Sequence, residues 1–275
     1  MLSRDRYAAR FRKLKEAKQG AFMPFTVLGW PDEETSFSII KTMIDSGASA
    51  LELGIAFSDP VADGPIIQAA AHKVIESGYT VVQALDLVAR ARKYDADIPM
   101  GLLVYYNHIM AMGAEKFFEK ASACGVDGVL VADLPAESSD EVLSTATAKG
   151  ISTIFIVSPL TREERLAKIV EHASGFIYLV SRLGVTGVDE RNADRDSRLA
   201  ALIASIKKAT TLPVLAGFGI STPAHAEKMM ASGADGVITG SKIIDLVTKA
   251  EPSKIESELS SYLKQMVAAL NSVKV

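Results

Sequence analysis

Three acidic side chains lie close together in the stretch ALELGIAFSDPVADGP, residues 50–65. Glu52 interrupts an apolar run, with leucine on each side, and an unpaired carboxylate is costly to bury. Because burial raises the pKa of a carboxyl group, Glu52 suits a residue that gives and takes protons near neutral pH. Asp59 and Asp63 follow in DP and DG contexts, which also fit simple turn capping. The pattern predicts acid/base chemistry centred on Glu52.

Two glycine-containing segments near the C-terminus have the composition of an anion site. One is LAGFGIST, with Gly217 and Gly219, and the other is ITGSK, with Gly240 and Ser241. Each joins an apolar run to a helical pattern, where glycine permits close backbone approach and a helix N-terminus offers free N–H groups. Neither segment completes a dinucleotide or Walker fingerprint, so ordinary turn glycines are the alternative. We predict that the two segments together bind a phosphate group.

The strands that carry these residues alternate with helical stretches along the whole chain. Short runs rich in Val, Ile, Leu and Phe predict eight strands, at 21–28, 49–55, 100–105, 127–132, 151–157, 176–181, 213–217 and 235–239. Most of these runs are continuously apolar, which is typical of parallel strands buried on both faces. Tyr105 ends the third strand, where an aromatic side chain is more typical of packing than of chemistry.

Helical periodicity predicts the connections between the strands. The predicted helices are 33–46, 66–94 with a break near Gly78, 109–123, 137–149, 161–173, 196–209, 222–232 and 241–270. Parallel strands joined in this way form either an open doubly wound sheet or a closed barrel. Eight strands in 275 residues favour a (β/α)8 TIM barrel, which typically has roughly 250 residues. No linker or composition step divides the chain, so we predict one domain over 1–275.

Two further segments have a recognisable pattern. In residues 1–19, Tyr7, Phe11 and Leu14 recur at helical spacing, which predicts an amphipathic helix packed on the barrel, with Ser3 as its cap. The basic composition of this segment also resembles a transit peptide. The polar, glycine-containing stretch 182–196 predicts a mobile loop above the barrel.

Composition excludes several classes of protein. Hydrophobic residues make up 48% and charged residues 23%, which excludes a disordered chain. The net charge of −3 gives no field that attracts a polyanion, so a nucleic-acid partner is not expected. The single cysteine, Cys124, forms no internal disulfide, and the four histidines lack zinc-site spacing. No apolar run reaches the roughly 18 residues that span a bilayer. We therefore expect a soluble, cytoplasmic protein with a metal-free site.

The motifs LELG, FSDP, ADGP, YYNHI, SRLGVTG, GFGIS and TGSK, in this order, closely resemble the tryptophan synthase alpha subunit family. The resemblance covers nearly the whole chain and implies a (β/α)8 barrel with carbon–carbon lyase activity. The implied reaction is the retro-aldol cleavage of indole-3-glycerol phosphate to indole and glyceraldehyde 3-phosphate. By the same resemblance, Glu52 is the catalytic acid/base and Asp63 its partner.

The resemblance also implies residues that hold the substrate. The implied phosphate ligands are Gly187, Gly219, Gly240 and Ser241, and the implied indole slot consists of Phe22, Leu103, Leu130, Ile156, Tyr178 and Phe218. Thr186 would contact Asp63 when the loop closes over the ligand. No cofactor is implied in this chain. Pyridoxal phosphate is expected only in a beta subunit, which would receive the indole within an α2β2 complex.

The chain departs from the family pattern at three places. Ala56 stands where the family commonly has Pro before FSDP, which removes a fixed φ at the start of the catalytic loop. Trp30 stands where Asp or Tyr is common, and the loop after GVTG is longer. These departures concern loop dynamics and partner contacts more than the reaction.

Other functions also fit the sequence. A stand-alone lyase would release free indole without a partner. A catalytically weak barrel would bind the phosphate ligand and act mainly as an allosteric subunit. A phosphosugar isomerase would share the phosphate site but would not need the indole slot. The four histidines, including His108, carry no assigned role.

Overall fold

The computed structural model describes residues 5–181 and 192–273, with residues 192–196 described by their backbone only. Eight parallel strands pair in chain order, and the pairing of β8 with β1 closes the barrel. The strands are β1 (Ala21–Val27), β2 (Leu51–Gly54), β3 (Met100–Val104), β4 (Gly128–Val131), β5 (Ser152–Val157), β6 (Ile177–Val180), β7 (Val214–Gly217) and β8 (Gly236–Thr239). The predicted (β/α)8 TIM barrel is therefore confirmed, with each strand at its predicted place.

The helices cover the outside of the barrel. They are α1 (Arg6–Glu16), α2 (Glu33–Asp45), α3 (Pro65–Glu76), α4 (Val81–Tyr94), α5 (Tyr106–Met112), α6 (Ala114–Ala123), α7 (Asp140–Ala148), α8 (Glu163–His172), α9 (Asn192–Ala209), α10 (Pro223–Ala231), α11 (Ser241–Lys249) and α12 (Ile255–Ser272). None of these helices is both long and apolar enough to cross a membrane.

Two predicted helices are in fact pairs of helices. The stretch 109–123 divides at Gly113, whose φ of 82° is incompatible with a continuous right-handed helix. The stretch 241–270 divides after Lys249, where Pro252 begins a short 3-10 turn before α12. The break predicted near Gly78 is present, since α3 ends at Glu76 and Gly78 has a φ of 74°.

Helix α1 closes the barrel at the N-terminal ends of the strands. Its cap is Asp5, whose Oδ1 accepts a hydrogen bond from Ala8 N at 2.9 Å; the predicted cap, Ser3, lies outside the described residues. Tyr7 and Phe11 are buried in the cluster that fills the barrel interior. Arg6 donates to Asp127 Oδ1 at 2.7 Å and so fastens the helix to the residue before β4. Helix α1 is thus held against the barrel by buried aromatic rings and by an ion pair.

Side chains of the strands alternate between the barrel interior and the layer of helices, because successive residues of a strand face opposite sides. Ala21 and Met23 of β1 belong to the interior cluster. The intervening Phe22 belongs to the larger cluster between strands and helices. The same alternation in β2 puts Glu52 and Gly54 on one side and Leu51 and Leu53 on the other.

Candidate active site

Glu52 lies in β2 with its carboxyl group inside the barrel, and only 4% of the residue is exposed. Its register partners in the neighbouring strands are Phe25 of β1 and Gly101 of β3. Burial, and then the negative charge of Asp63, raise the pKa of Glu52 to about 8. Glu52 therefore carries a proton at neutral pH, which is the state that a general acid requires.

Asp63 lies in the loop between β2 and α3 and reaches the same interior through Tyr105. The Tyr105 hydroxyl group donates to Asp63 Oδ2 at 2.8 Å and accepts from Ala62 N at 3.0 Å. Burial raises the pKa of Asp63, but the hydrogen bond from Tyr105 favours the ionised form and opposes that rise. Because Asp63 has this donor and Glu52 is more deeply buried, the proton of the pair resides on Glu52 and the charge on Asp63.

Asp59, the third carboxyl group of this segment, is exposed on the surface of the same loop. Its Oδ2 accepts a hydrogen bond from the Ser58 hydroxyl group at 2.6 Å, and its carbonyl accepts from Val61 N at 2.8 Å. These contacts match the turn interpretation of the DP sequence.

The interior wall beside Glu52 is apolar. Register pairs link Leu103 to Leu130 and Ile156 to Tyr178, so these four side chains face the same interior. A cavity of about 300 Å³ extends from Leu130 and Ile156 towards α8. Phe218 meets the Tyr178 ring edge-on, with centroids 6.1 Å apart and planes at 72°. The structure therefore brings five of the expected slot residues to one largely apolar wall, which suits a flat aromatic ring.

Phe22, the sixth expected slot residue, faces the layer of helices and not the barrel interior. Its neighbours in β1, Ala21 and Met23, belong to the interior cluster, and successive residues of a strand face opposite sides. The residue of β1 that faces Glu52 is Phe25, whose ring covers Gly54 and Gly240. A Cβ atom on Gly54 would lie only 2.8 Å from this ring, so the glycine leaves the space that Phe25 fills.

The loop after β7 is held in a strained conformation. Phe218 has a φ of 67°, a left-handed backbone that costs a non-glycine residue about 1–3 kcal/mol. The Ser181 hydroxyl group lies 2.6 Å from the Phe218 carbonyl oxygen and 3.0 Å from that of Gly217, and its proton is shared between them. This contact from the residue after β6 stabilises the loop, in which the Phe218 ring meets that of Tyr178.

Three of the four expected phosphate ligands, Gly219, Gly240 and Ser241, lie at two neighbouring loops. β7 and β8 are paired through Leu215 and Gly236, so the loops that follow them are adjacent at the C-terminal rim. Gly219 has a φ of 73°, which favours glycine, and Gly240 caps α11 without a side-chain hydrogen bond. Ser241 is the first residue of that helix. A Cβ atom on Gly240 would lie 3.0 Å from the Phe25 ring, which places this loop beside the apolar slot.

Two expected site residues, Thr186 and Gly187, lie outside the described residues, as does most of the expected loop 182–196. Within the described ranges, no three His, Cys, Asp or Glu side chains are grouped as metal ligands would be. Cys124 is buried at the end of α6, away from the rim.

Sequence reasoning missed the role of Tyr105. Its ring is buried as expected of packing, but its hydroxyl group is the hydrogen-bond partner of Asp63. The available signal was its position at the end of β3, next in the barrel to the strand of Glu52. His108, on α5, was also given no role, although it is buried and contacts the loop of Asp63.

Fold and site together define a (β/α)8-barrel enzyme with a carboxyl pair and an apolar slot at one end. The family model described as "Tryptophan synthase alpha chain" matches residues 11–271. The tryptophan synthase alpha chain of Methanothermobacter thermautotrophicus is 47% identical over 242 residues, which is 88% of this chain and 87% of that protein. That of Pectobacterium atrosepticum is 42% identical, over 98% of this chain and all of its own length.

Solved structures agree with these relatives. Tryptophan synthase subunit alpha from Legionella pneumophila has a TM-score of 0.88 and 32% identity, over 98% of this chain and 99% of its own. Tryptophan synthase from M. tuberculosis, in its aminoacrylate-bound form, has a TM-score of 0.85 and 26% identity, over 96% and 99%. This chain belongs to the tryptophan synthase alpha chain family. It is a lyase with the alpha subunit role in tryptophan biosynthesis, as the resemblance of the motifs implied.

Proposed function

We propose that the Glu52 and Asp63 pair cleaves indole-3-glycerol phosphate into indole and glyceraldehyde 3-phosphate. The observation that carries this assignment is the unequal environment of the two groups. Glu52 is fully enclosed, with its pKa raised to about 8, whereas Asp63 accepts a hydrogen bond from Tyr105. One group is therefore suited to exchange a proton and the other to carry a charge.

The substrate supplies its own electron sink for this reaction. Glu52 donates its proton to C3 of the indole ring, which produces an indoleninium cation. The neighbouring glycerol hydroxyl group loses its proton to the Glu52 carboxylate, and the bond between C3 and the glycerol carbon breaks. The electrons of that bond return to the ring to form indole, while the glycerol carbon becomes the aldehyde of glyceraldehyde 3-phosphate. Ionised Asp63 accepts a hydrogen bond from the indole N–H and stabilises the positive charge.

The substrate is held at both of its ends. The indole ring occupies the slot that contains Tyr178 and Phe218, with Phe25 in the place first expected for Phe22. The phosphate group binds at the N-terminus of α11, on Gly240 and Ser241, and on the loop of Gly219. Gly187 is proposed as a further phosphate ligand and Thr186 as the residue that contacts Asp63.

We further propose that the C-terminal rim binds a tryptophan synthase beta subunit, in an α2β2 complex in the cytoplasm. Large apolar side chains are exposed in three segments that follow strands: Val61 after β2, Met110 after β3 and Leu160 after β5, with 81%, 56% and 73% of each residue exposed. Such side chains are typical of a surface that another protein covers. The beta subunit would hold pyridoxal phosphate and consume the indole, and this chain would need no cofactor.

One assay tests the function against its alternatives. The purified chain is incubated with indole-3-glycerol phosphate, with and without a beta subunit, and free indole and glyceraldehyde 3-phosphate are measured. We expect both products in equal amounts, and a higher rate with the partner. Strong partner-independent turnover supports the stand-alone lyase, whereas no cleavage under either condition contradicts the proposed reaction. The Asp63→Asn variant is the matched negative control, since it retains shape but loses the charge.

A further inference from the structure

His108 connects two loops of the candidate site through both of its ring nitrogens. Nδ1 lies 3.2 Å from Tyr105 N, and Nε2 lies 3.1 Å from the Ala56 carbonyl oxygen. A peptide N–H can only donate and a carbonyl oxygen can only accept, so Nδ1 is the acceptor and Nε2 carries the proton. The ring is therefore neutral, in agreement with the burial that lowers the pKa of His108.

His108 has two partners. Ala56 lies at the start of the loop that carries Asp63, and Tyr105 is the residue whose hydroxyl group holds the other end of that loop. Ala56 lies two residues after the end of β2, at the start of the loop. At the far end of the same loop, Ala62 N and the Asp63 carboxyl group are bonded to the Tyr105 hydroxyl group. Both ends of the loop are thus attached to the Tyr105–His108 unit.

The ring of Phe57 fills the space within this arrangement. It stacks on Tyr105 with centroids 4.8 Å apart and planes at 19°, and it meets His108 edge-on at 5.1 Å. Aromatic pairs in these geometries contribute about 0.5–1.5 kcal/mol beyond the area they bury. Phe57 is the residue after Ala56, so its packing and the hydrogen bond to Ala56 fix the same short piece of backbone.

A hydrogen bond at Ala56 has particular value in this chain. Proline at this position would restrict φ, whereas alanine leaves it free to rotate. The bond from His108 Nε2 to the Ala56 carbonyl instead restrains the following peptide group, Ala56–Phe57, by tertiary contact. Loss of that restraint would release the start of the loop that carries Asp63.

We propose that His108 is a positioning residue, which holds the Asp63 loop in the geometry that cleavage requires. The inference rests on the proposed function of Asp63, because it concerns how that carboxyl group is placed. His108 does not contact the substrate and takes no part in proton transfer. It acts through Ala56 and Tyr105, and a displacement of about 1 Å at a reacting group can cost on the order of 10²-fold in rate.

Three substitutions separate the two hydrogen bonds from each other and from packing. His108→Gln places an amide nitrogen near the Nε2 position and retains the donor to Ala56. His108→Asn places its amide oxygen near the Nδ1 position and retains only the acceptor for Tyr105 N. His108→Leu fills space without either bond. The control is His72→Leu, the same change on the exposed face of α3.

The variants are compared in two measurements: steady-state cleavage of indole-3-glycerol phosphate, and amide hydrogen exchange of the segment 56–63. We expect His108→Leu and His108→Asn to lower kcat by roughly 10- to 100-fold, with little change in KM, and to exchange faster in this segment. His108→Gln should restore slow exchange and most of kcat. His72→Leu should match the wild type in both measurements.

The two measurements distinguish failure of this inference from failure of the proposed function. Exchange of 56–63 requires no substrate, so it tests the attachment of the loop even if the chain cleaves nothing. Unchanged exchange in His108→Leu and His108→Asn overturns the inference. Faster exchange with a normal kcat overturns it too, because His108 would then restrain the loop although cleavage does not depend on that restraint. If His108→Leu fails to fold, the comparison of His108→Gln with His108→Asn still tests whether the hydrogen bond to Ala56 positions the loop.

Discussion

The hydroxyl group of Tyr105, at the end of β3, donates a hydrogen bond of 2.8 Å to Oδ2 of Asp63 in the loop after β2. This single contact distinguishes the two carboxyl groups of the site, because Glu52 has no comparable donor among the hydrogen bonds of the described residues. It favours the ionised form of Asp63 and leaves the proton on Glu52. Loss of this hydrogen bond should therefore impair cleavage.

Tyr105→Phe should lower kcat for cleavage by roughly 10-fold or more, since the lost charge-assisted hydrogen bond is worth about 1.5–3 kcal/mol. The ring remains, so its stacking on Phe57 should persist and the fold with it. The variant is assayed for indole release, and its circular dichroism is compared with that of the wild type. An unchanged kcat would show that Asp63 does not depend on Tyr105.

Glu52→Gln should lower kcat by about 10²–10⁴-fold, the range of a lost general acid/base, with substrate affinity largely retained. Glutamine is nearly isosteric and resembles the protonated carboxyl group that Glu52 carries at neutral pH. Cleavage is measured at saturating substrate, and binding is measured separately by isothermal calorimetry. Turnover near that of the wild type would remove Glu52 from the mechanism.

The pH dependence of folding stability should reveal the raised pKa of the buried Glu52 carboxyl group. The pKa of Glu52 is raised from its ordinary value of 4.5 to about 8 in the folded chain. Between these values the folded chain keeps a proton that the unfolded chain releases, so the contribution of Glu52 to folding stability falls as pH rises. Glu52→Gln should remove this pH-dependent contribution. The free energy of unfolding of the variant should therefore exceed that of the wild type most at pH above 8. Parallel urea titrations of the two proteins, from pH 5 to 9, measure the difference; parallel stability curves would place the carboxyl group outside the barrel.

Phe25→Leu and Phe22→Leu should have different effects, although the residues lie in the same strand. Phe25 faces Glu52 in the interior, so its truncation should raise KM for indole-3-glycerol phosphate. Phe22 alternates with the interior residues Ala21 and Met23 and so faces the helices, and its truncation should lower the free energy of unfolding by about 1–3 kcal/mol with KM unchanged. Kinetics and urea unfolding of both variants check the assignment. A raised KM only in Phe22→Leu would reverse the assigned faces.

Ser241→Ala should weaken binding of the phosphate end of the substrate, because its hydroxyl group stands at the first turn of α11. We expect affinity for glyceraldehyde 3-phosphate to fall by roughly 10-fold, the loss of one hydrogen bond to a charged group. The rate of cleavage at saturating substrate should change little. Titration with glyceraldehyde 3-phosphate measures the effect, and an unaltered affinity would exclude Ser241 from the phosphate site.

The sequence determined the elements and much of the chemistry. Eight apolar runs separated by helical stretches specify the barrel, because each run can bury both faces only within a parallel sheet covered by helices. Glu52 stood out for the same reason, as a carboxyl group within such a run. Gly219 and Gly240 were recognisable from their places between strand and helix. All of these signals are local, since each is read within one element and its flanks.

The tertiary structure decided which side chains meet. Sequence alternation shows that Phe22 and Phe25 face opposite sides of β1, but only the pairing of β1 with β2 shows that Phe25 shares the face of Glu52. Tyr105 and His108 lie more than 40 residues from the loop they hold, and no periodicity connects them to it. Their partners follow from the closure of the barrel, which sets the register of neighbouring strands and brings the ends of β2 and β3 together. Strand identity is a property of local pattern, whereas the contacts at the rim exist only once distant segments have packed.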